Sequence, residues 1–340
     1  MIISKIVKKN IIYYKLHAEQ TVTGTFLDEP GSGIFEEILT HTTIDKLVSD
    51  SETMSPKEFI LVLDFSNIKG CQNNIKKKII QLIHKFKYVV LTNITKKIIE
   101  DIEVGIFQNP NNIESDDCFL KFILSNETIE EIDLDIESIF IDEFLVRLKK
   151  HVEPSVEGKD IVHDSSSVYL TSYINIKSFI SLEKSFFIYS IYHLAIKIRD
   201  HWKIELKSEI INQKPILICQ NLNSSYITSV LSSLLKLDIL ILDKIGPINK
   251  IYSTLDRKIE ESRNYIVVSD LVCLGTEIKI AKSIIEFLGG IYLGNVSIIR
   301  VETILKKDKS YLDTECVFNI TNENNKEIEY EIKTALNIVS

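Results

Sequence analysis

An alternation of two patterns constrains the fold of this chain more than any other feature. Short runs of β-branched and other apolar residues recur, each followed by a stretch whose apolar residues fall on one helical stripe. "FILVLDFSNI" (59–68) is such a run, and "CQNNIKKKIIQLIHKF" (71–86) follows it with apolar residues at 75, 79, 80, 82, 83 and 86. "KYVVLTNI" (87–94) and "TKKIIEDIEV" (95–104) repeat the pair. Continuous apolar runs suit strands buried on both faces, and one-sided stripes suit helices lying on them. Strands separated by a helix-length segment pair in parallel through right-handed crossovers.

The pattern resumes later. "KPILICQNL" (214–222) and "DILILDKIG" (238–246) read as strands around the helix "SSYITSVLSSLLKL" (224–237). "YIVVSDLV" (265–272), "EIKIAKSIIEFLGG" (277–290) and "IYLGNVSIIRVE" (291–302) continue as strand, helix and strand. Between the two blocks, "HVEPSVEGKDIVHDSSSV" (151–168) has no periodicity and collects Pro, Gly, Ser and charge, which marks a boundary. The expected architecture is therefore α/β with two domains, each a mainly parallel sheet flanked by helices. They span 1–150 and 169–340, with 151–168 as linker. In the first, "TVTGTFLDEPGSGIFEEILTHTTIDKLV" (21–48) predicts a strand, a turn and a helix from about Ile34. In the second, "LEKSFFIYSIYHLAIKIRDHWK" (182–203) predicts one long helix, and "ECVFNITNENNKEIEYEIK" (315–333) a C-terminal β-hairpin.

Composition narrows the function classes. Of 340 residues, 45% are hydrophobic and 26% charged, a globular balance rather than a disordered one. The net charge of −8 argues against a large nucleic-acid footprint, which draws on clustered Lys and Arg. No run approaches the ~18 apolar residues of a membrane span, and the start has no uninterrupted signal-type core, so a cytoplasmic location is expected. The five cysteines (Cys71, Cys118, Cys219, Cys273, Cys316) are scattered without a CxxC, and are expected to be buried free thiols.

The most informative stretch is "NYIVVSDLVCLGTEIKIAKSIIEFLGG" (264–290). A strand ends in Ser269 and Asp270, Gly275 follows in a tight turn, and a helix opens at about Thr276. Such a turn aims backbone N–H groups and the positive end of a helix dipole at one point, a ready anion site. A carboxylate at the strand's carboxyl end suits a sugar hydroxyl or a metal ion, since ligands of open α/β sheets sit at those ends.

This order resembles the type I phosphoribosyltransferase family. The resemblance, of the orotate type, covers about residues 165–303 and includes "SSVYLTSYINIKSFISLEKSFFIYSIYHLAIKIRD" and "PILICQNLNSSYITSVLSSLLKLDILILDK". It implies a site for phosphoribosyl pyrophosphate, with Asp270 on ribose hydroxyls or Mg²⁺ and Lys244 on the leaving pyrophosphate. Ser269, Cys273, Leu274, Gly275, Thr276 and Glu277 would line the 5′-phosphate loop, and Ser224 and Ser225 the pyrophosphate loop. The departures from the family pattern are specific. Ser269 replaces the first acidic residue, Cys273-Leu274 replaces a hydroxyl pair, and Glu277 stands where a small hydroxyl residue is usual. The loop "QNLNSS" (220–225) lacks glycine and a basic neighbour. Two unit charges ~4 Å apart repel by ~1 kcal/mol in water and ~4 kcal/mol at an effective dielectric of 20, so Glu277 opposes a phosphate by roughly tenfold to a thousandfold.

These departures lead to the expectation of a non-catalytic or regulatory module that binds a nucleotide or ribose-phosphate ligand, with a protein partner or second copy completing an assembly. Two alternatives stay open: Mg²⁺-dependent phosphoribosyl transfer, and a purely structural role. "ILVLDFSNIKG" with "KYVVLTNITKKIIED" (roughly 55–105) resembles the STAS-like domains of bacterial regulators, but no serine stands at the turn "NIKGCQNN", so a phosphoswitch there is not expected. "LDEPGSGIFEE" (27–37) is read as a turn in acidic surroundings rather than an anion cradle. The pairs His41/Asp45 and His193/His201 lack a third ligand nearby in sequence and are read as ordinary core or surface residues.

Overall fold

The structure is a computed structural model. It describes residues 4–8, 10–16, 38–51, 56–66, 68–73, 75–125, 135–154, 161–162, 169–170, 172–204, 214–242, 259–273, 275–301, 314–321 and 332–333. These fall into two compact units, Met1–Glu143 and Phe144–Ser340, with the division inside the helix Ile136–Lys149.

The first unit is built on a six-stranded sheet. Its order is Ser4–Lys8, Ile11–Lys15, Ile60–Asp64, Tyr88–Thr95, Cys118–Leu124, Ile113–Glu114. The three inner strands Ile11–Lys15, Ile60–Asp64 and Tyr88–Thr95 run parallel, while pairing toward both edges is antiparallel. Tyr14, Leu63, Leu91 and Phe122 stand side by side across four strands. They share one core with Ile44 and Leu47 of the helix His41–Ser51, Ile75, Ile79 and Leu82 of Ile75–Lys85, and Ile98 and Ile99 of Lys96–Asp101. Their alternates Tyr13, Val62, Val90 and Ile123 are buried too, which is why these strands read as continuous apolar runs rather than as alternating ones.

Two boundaries differ from the sequence reading. The segment expected to be helical from about Ile34 holds a short strand at Ile38–Leu39, paired with Gly70–Cys71, and the helix starts at His41. Thr40 sets that start, because its Oγ1 accepts the Thr43 N–H at 3.4 Å. The long helix expected over 182–203 is Lys184–His201, preceded by a separate helix Ile176–Leu182. Asn175 caps the latter by accepting the Ser178 N–H at 2.9 Å.

The second unit carries a five-stranded sheet, parallel throughout. Its spatial order is Ile239–Ile241, Ile216–Cys219, Asn264–Val272, Ile291–Val301, Thr314–Ile320. Numbered along the chain, that order is 2-1-3-4-5, one of the two common doubly wound arrangements. The helix Thr276–Phe287 covers one face, where Ile278, Ala281 and Ile285 pack with Ile216, Ile218, Tyr265 and Val267. The helices Lys184–His201 and Leu222–Leu235 pack on the sheet as well, and Leu217 and Ile266 are buried on the face opposite that core. The end of the boundary helix joins this unit through Phe144, stacked on Phe318 of the last strand at 4.7 Å and edge-on to Phe179 at 5.5 Å. Arg147, on the same helix, pairs with Glu183 and lies over the Phe186 ring. Of the expected C-terminal hairpin, the first arm is Thr314–Ile320, in the main sheet. Ile332–Lys333 pairs with Tyr169–Leu170, and the residues between the arms lie outside those described.

Candidate functional site

The strand order creates a crevice. From Ile216–Cys219 the chain crosses by the helix Leu222–Leu235 to the neighbour on one side, and the later strand Asn264–Val272 lies on the other. The helices following these two strands therefore diverge. In open α/β sheets the gap between them at the carboxyl ends is where ligands bind. A cleft of about 550 Å³ lies there, lined from three directions: Tyr173, Ile174, Ile176 and Lys177; Asn221, Leu222 and Asn223; and residues 269–273 with 275–278.

The motif strand is Asn264–Val272, ending where "YIVVSDLV" ends, with Ser269 and Asp270 inside its last four residues. Ser269 is nearly buried and stands opposite Ser297 of the next strand. Asp270, one residue on, is held by two amides. Asn223 Nδ2 donates to Oδ2 at 2.9 Å and Asn221 Nδ2 to Oδ1 at 3.4 Å. Each carboxylate oxygen thus has one protein donor and keeps acceptor capacity toward the cleft.

Asn221 is aimed by its role at the next helix. Its Oδ1 accepts the Ser224 N–H at 2.8 Å while Ser224 Oγ accepts the Asn221 N–H at 3.1 Å, a reciprocal capping box. With the oxygen committed to the cap, the amide nitrogen faces Asp270. Ser224 and Ser225, expected as pyrophosphate donors, instead donate to the Asn221 carbonyl at 3.0 and 2.8 Å, and neither lines the cleft. The helix begins at Leu222, so the turn after the strand is only Gln220 and Asn221. Gln220 Nε2 reaches across to the Glu277 carbonyl at 3.3 Å.

At the other rim, Cys273 lines the cleft and Gly275 adopts φ 70°, ψ 19°, the left-handed region that favours glycine. Thr276 and Glu277 open the helix, which has no side-chain cap. The N–H groups of its first turn have no acceptor within the helix itself. Glu277 and Thr276 both line the cleft. Lys244 and Leu274 lie outside the described residues.

The structure thus gathers Ser269, Asp270, Cys273, Gly275, Thr276 and Glu277 around one opening and leaves Ser224 and Ser225 beside it. Asn221 and Asn223 were not singled out in the sequence. The Asn-x-x-Ser spacing after an apolar run was the available signal for the first. As to Mg²⁺, the ion is commonly held by one or two carboxylates, with waters and substrate oxygens completing the shell, and Asp270 fits as such a single protein ligand. No group of three or more His, Cys, Asp or Glu able to hold a metal is found among the described residues. No helix among them is long and apolar enough to cross a membrane.

The first unit has a second polar cluster, also at strand carboxyl ends. Buried Asp64 accepts from Tyr13 Oη at 2.6 Å, the Ser66 N–H at 2.9 Å and Asn93 Nδ2 at 3.1 Å, with Lys15 Nζ at 3.7 Å. Burial alone would raise its carboxyl, but Lys15, Tyr13, Ser66 and Asn93 together hold it below the usual carboxylate range. Asn93 takes a left-handed backbone, φ 53°, to deliver its amide. With its oxygens engaged by protein groups, Asp64 reads as an anchor for the strand ends.

No protein-family model and no curated protein matches the chain. The solved structures similar to it include phosphoribosyltransferases. Adenine phosphoribosyltransferase from Thermoanaerobacter pseudethanolicus is 17% identical, with a TM-score of 0.37 over 52% of this chain and 99% of that one. Orotate phosphoribosyltransferase from Aeropyrum pernix is 12% identical, with a TM-score of 0.38 over 56% and 98%. Leishmania donovani UMP synthase is 13% identical, with a TM-score of 0.38 over 52% of this chain and 36% of that one.

Proposed function

We propose that the second unit is a non-catalytic binding module for a ribosyl ligand of the nucleotide or ribose-phosphate class, seated in the switch-point cleft. One observation carries this reading: Asp270, near the carboxyl end of the central parallel strand, has its carboxylate fixed by Asn221 and Asn223 and lines the cleft. A fixed carboxylate with free lone pairs matches the adjacent hydroxyls of a ribose. Transfer chemistry would also need donors for a departing pyrophosphate. The two-residue turn Gln220-Asn221 offers little room for them, and the Ser224 and Ser225 hydroxyls are committed to the Asn221 carbonyl. The first unit would serve as scaffold or as a surface for a partner or second copy.

Calorimetric titration with ribonucleosides, their 5′-monophosphates, ribose 5-phosphate and phosphoribosyl pyrophosphate tests the reading. At least one should bind, and Asp270→Ala should weaken it by about a hundredfold, the loss of two hydrogen bonds to a charged group at ~1.5 kcal/mol each. Silence from the whole series would end the proposal. Pyrophosphate released from phosphoribosyl pyrophosphate with Mg²⁺ and a base, and lost in Asp270→Ala, would replace it with catalysis.

A further inference from the structure

We infer that His151 is a proton-operated latch on one lip of the cleft, which releases that lip when its buried ring takes up a second proton. The latch is read without any ligand, so it stands or falls apart from the ribosyl reading.

This lip is built from the strand Ser172–Ile174 and the helix Ile176–Leu182, which bring Tyr173, Ile174, Ile176 and Lys177 to the opening. His151 holds both elements. It directly precedes the strand Val152–Pro154, which pairs with Ser172–Ile174. Its carbonyl accepts the Asn175 N–H at 2.8 Å, at the joint between strand and helix. Its Nδ1 meets Ser178 Oγ at 3.0 Å in the first helical turn, and its ring lies 5.3 Å from that of Phe179. The residue is only 5% exposed, and the other ring nitrogen, Nε2, is buried without a hydrogen-bond partner among the described residues. A neutral ring with its proton on Nδ1 donates to Ser178 and leaves Nε2 bare. A second proton would place an N–H and a positive charge on Nε2, where nothing accepts it, and a buried charge or donor left unpaired is costly. The charged groups around the ring are already engaged. Glu183 pairs with Arg147 and lies 3.8 Å from Lys150, and Glu153 accepts from Asn175 Nδ2 at 2.7 Å. Burial holds the imidazole below its ordinary range, Glu183 opposes this and Lys150 adds to it. An imidazolium relieves the cost by moving toward water, which breaks the Ser178 bond and pulls on the Asn175 joint. Because the folded ring resists the proton, the closed lip is fully stabilised above the ordinary histidine value of about 6.5, and that stabilisation is lost as pH falls through the folded value.

NMR titration and hydrogen exchange on the full chain test the latch. The His151 ring should titrate below the ordinary histidine value, and the amides of residues 172–178 should shift with the same midpoint. Between about pH 8 and about pH 5, exchange at those amides, corrected for its intrinsic pH dependence, should speed by roughly tenfold or more. His151→Asn places an amide where Nδ1 stands and cannot titrate, so it should flatten this response. His201→Gln, at the end of the helix Lys184–His201, should leave the response unchanged. A ring that titrates at or above the ordinary value, lip amides whose exchange ignores pH, or a response that survives His151→Asn would each overturn the inference. If His151→Asn does not fold, the titration and exchange of the unaltered chain decide the matter.

Discussion

Replacing Lys15 by methionine should cost the first unit about 3 kcal/mol at neutral pH. The ammonium lies 3.7 Å from Asp64 Oδ2, with the two side chains only 8% and 4% exposed, so solvent screening does not dilute the pair. Removing one partner of a buried ion pair typically costs ~3–5 kcal/mol, because the other charge is left buried. Asp64 would retain the Tyr13 hydroxyl, the Ser66 N–H and the Asn93 amide, which puts the expectation at the low end. The sign with pH follows from the depressed carboxyl. Below the ordinary value of about 3.9 the unfolded chain holds the proton that folded Asp64 refuses, so stability falls as pH drops through the folded pKa and is fully present above about pH 5. The penalty of Lys15→Met should therefore be largest near neutrality and shrink as acid neutralises Asp64. Scanning calorimetry should show a fall in Tm of roughly 6–12 °C, at ~2–4 °C per kcal/mol for units of this size. The single tryptophan, Trp202, belongs to the second unit, so calorimetry or hydrogen exchange at residues 11–15 must report the first. In a double-mutant cycle Asp64→Asn should recover at least ~1 kcal/mol in the Lys15→Met background. A cost under ~1 kcal/mol at pH 7, or one equal at pH 7 and pH 3, would refute the reasoning.

Other outcomes follow from the cleft. Gly275→Ala forces an L side chain into a backbone at φ 70°, and should cost ~1–2 kcal/mol by denaturant titration while weakening ligand binding. Ser224→Ala removes half of the capping box and should cost about 1 kcal/mol, the loss of its hydroxyl's bonds to the Asn221 backbone. It should also loosen Asn221 and lower ligand affinity severalfold, although Ser224 does not line the cleft; an unchanged affinity would show that the cap does not orient the Asp270 clamp.

Much of this architecture was legible because burial on both faces leaves a plain trace. "ILVLD", "YVVLTNI" and "ILIC" are continuous apolar runs, and each forms a parallel strand where expected. The motif around Asp270 was legible for a local reason, since strand, glycine turn and helix are consecutive in sequence. What stayed hidden depends on contacts between distant side chains. The bonds from Asn221 and Asn223 to Asp270 join residues 49 and 47 positions apart, and although the Asn-x-x-Ser spacing in "QNLNSS" signals a helix cap, nothing local points it at Asp270. Asp64 looks like any polar residue ending a strand. Its burial and its partners Tyr13, Lys15 and Asn93 emerge only when three strands end side by side. Short polar side chains also fix helix starts that the apolar pattern does not mark, Thr40 before His41 and Asn175 before Ile176.

The two-residue turn Gln220-Asn221 also governs how a guest could enter. Each residue is tethered, the first to the Glu277 carbonyl and the second to both the helix cap and Asp270. These bonds tie this wall of the cleft to both flanking helices and to the motif strand. The facing lip carries Tyr173 and Lys177, both exposed. On the proposed reading, a guest would meet a tethered wall on one side and these two exposed side chains on the other.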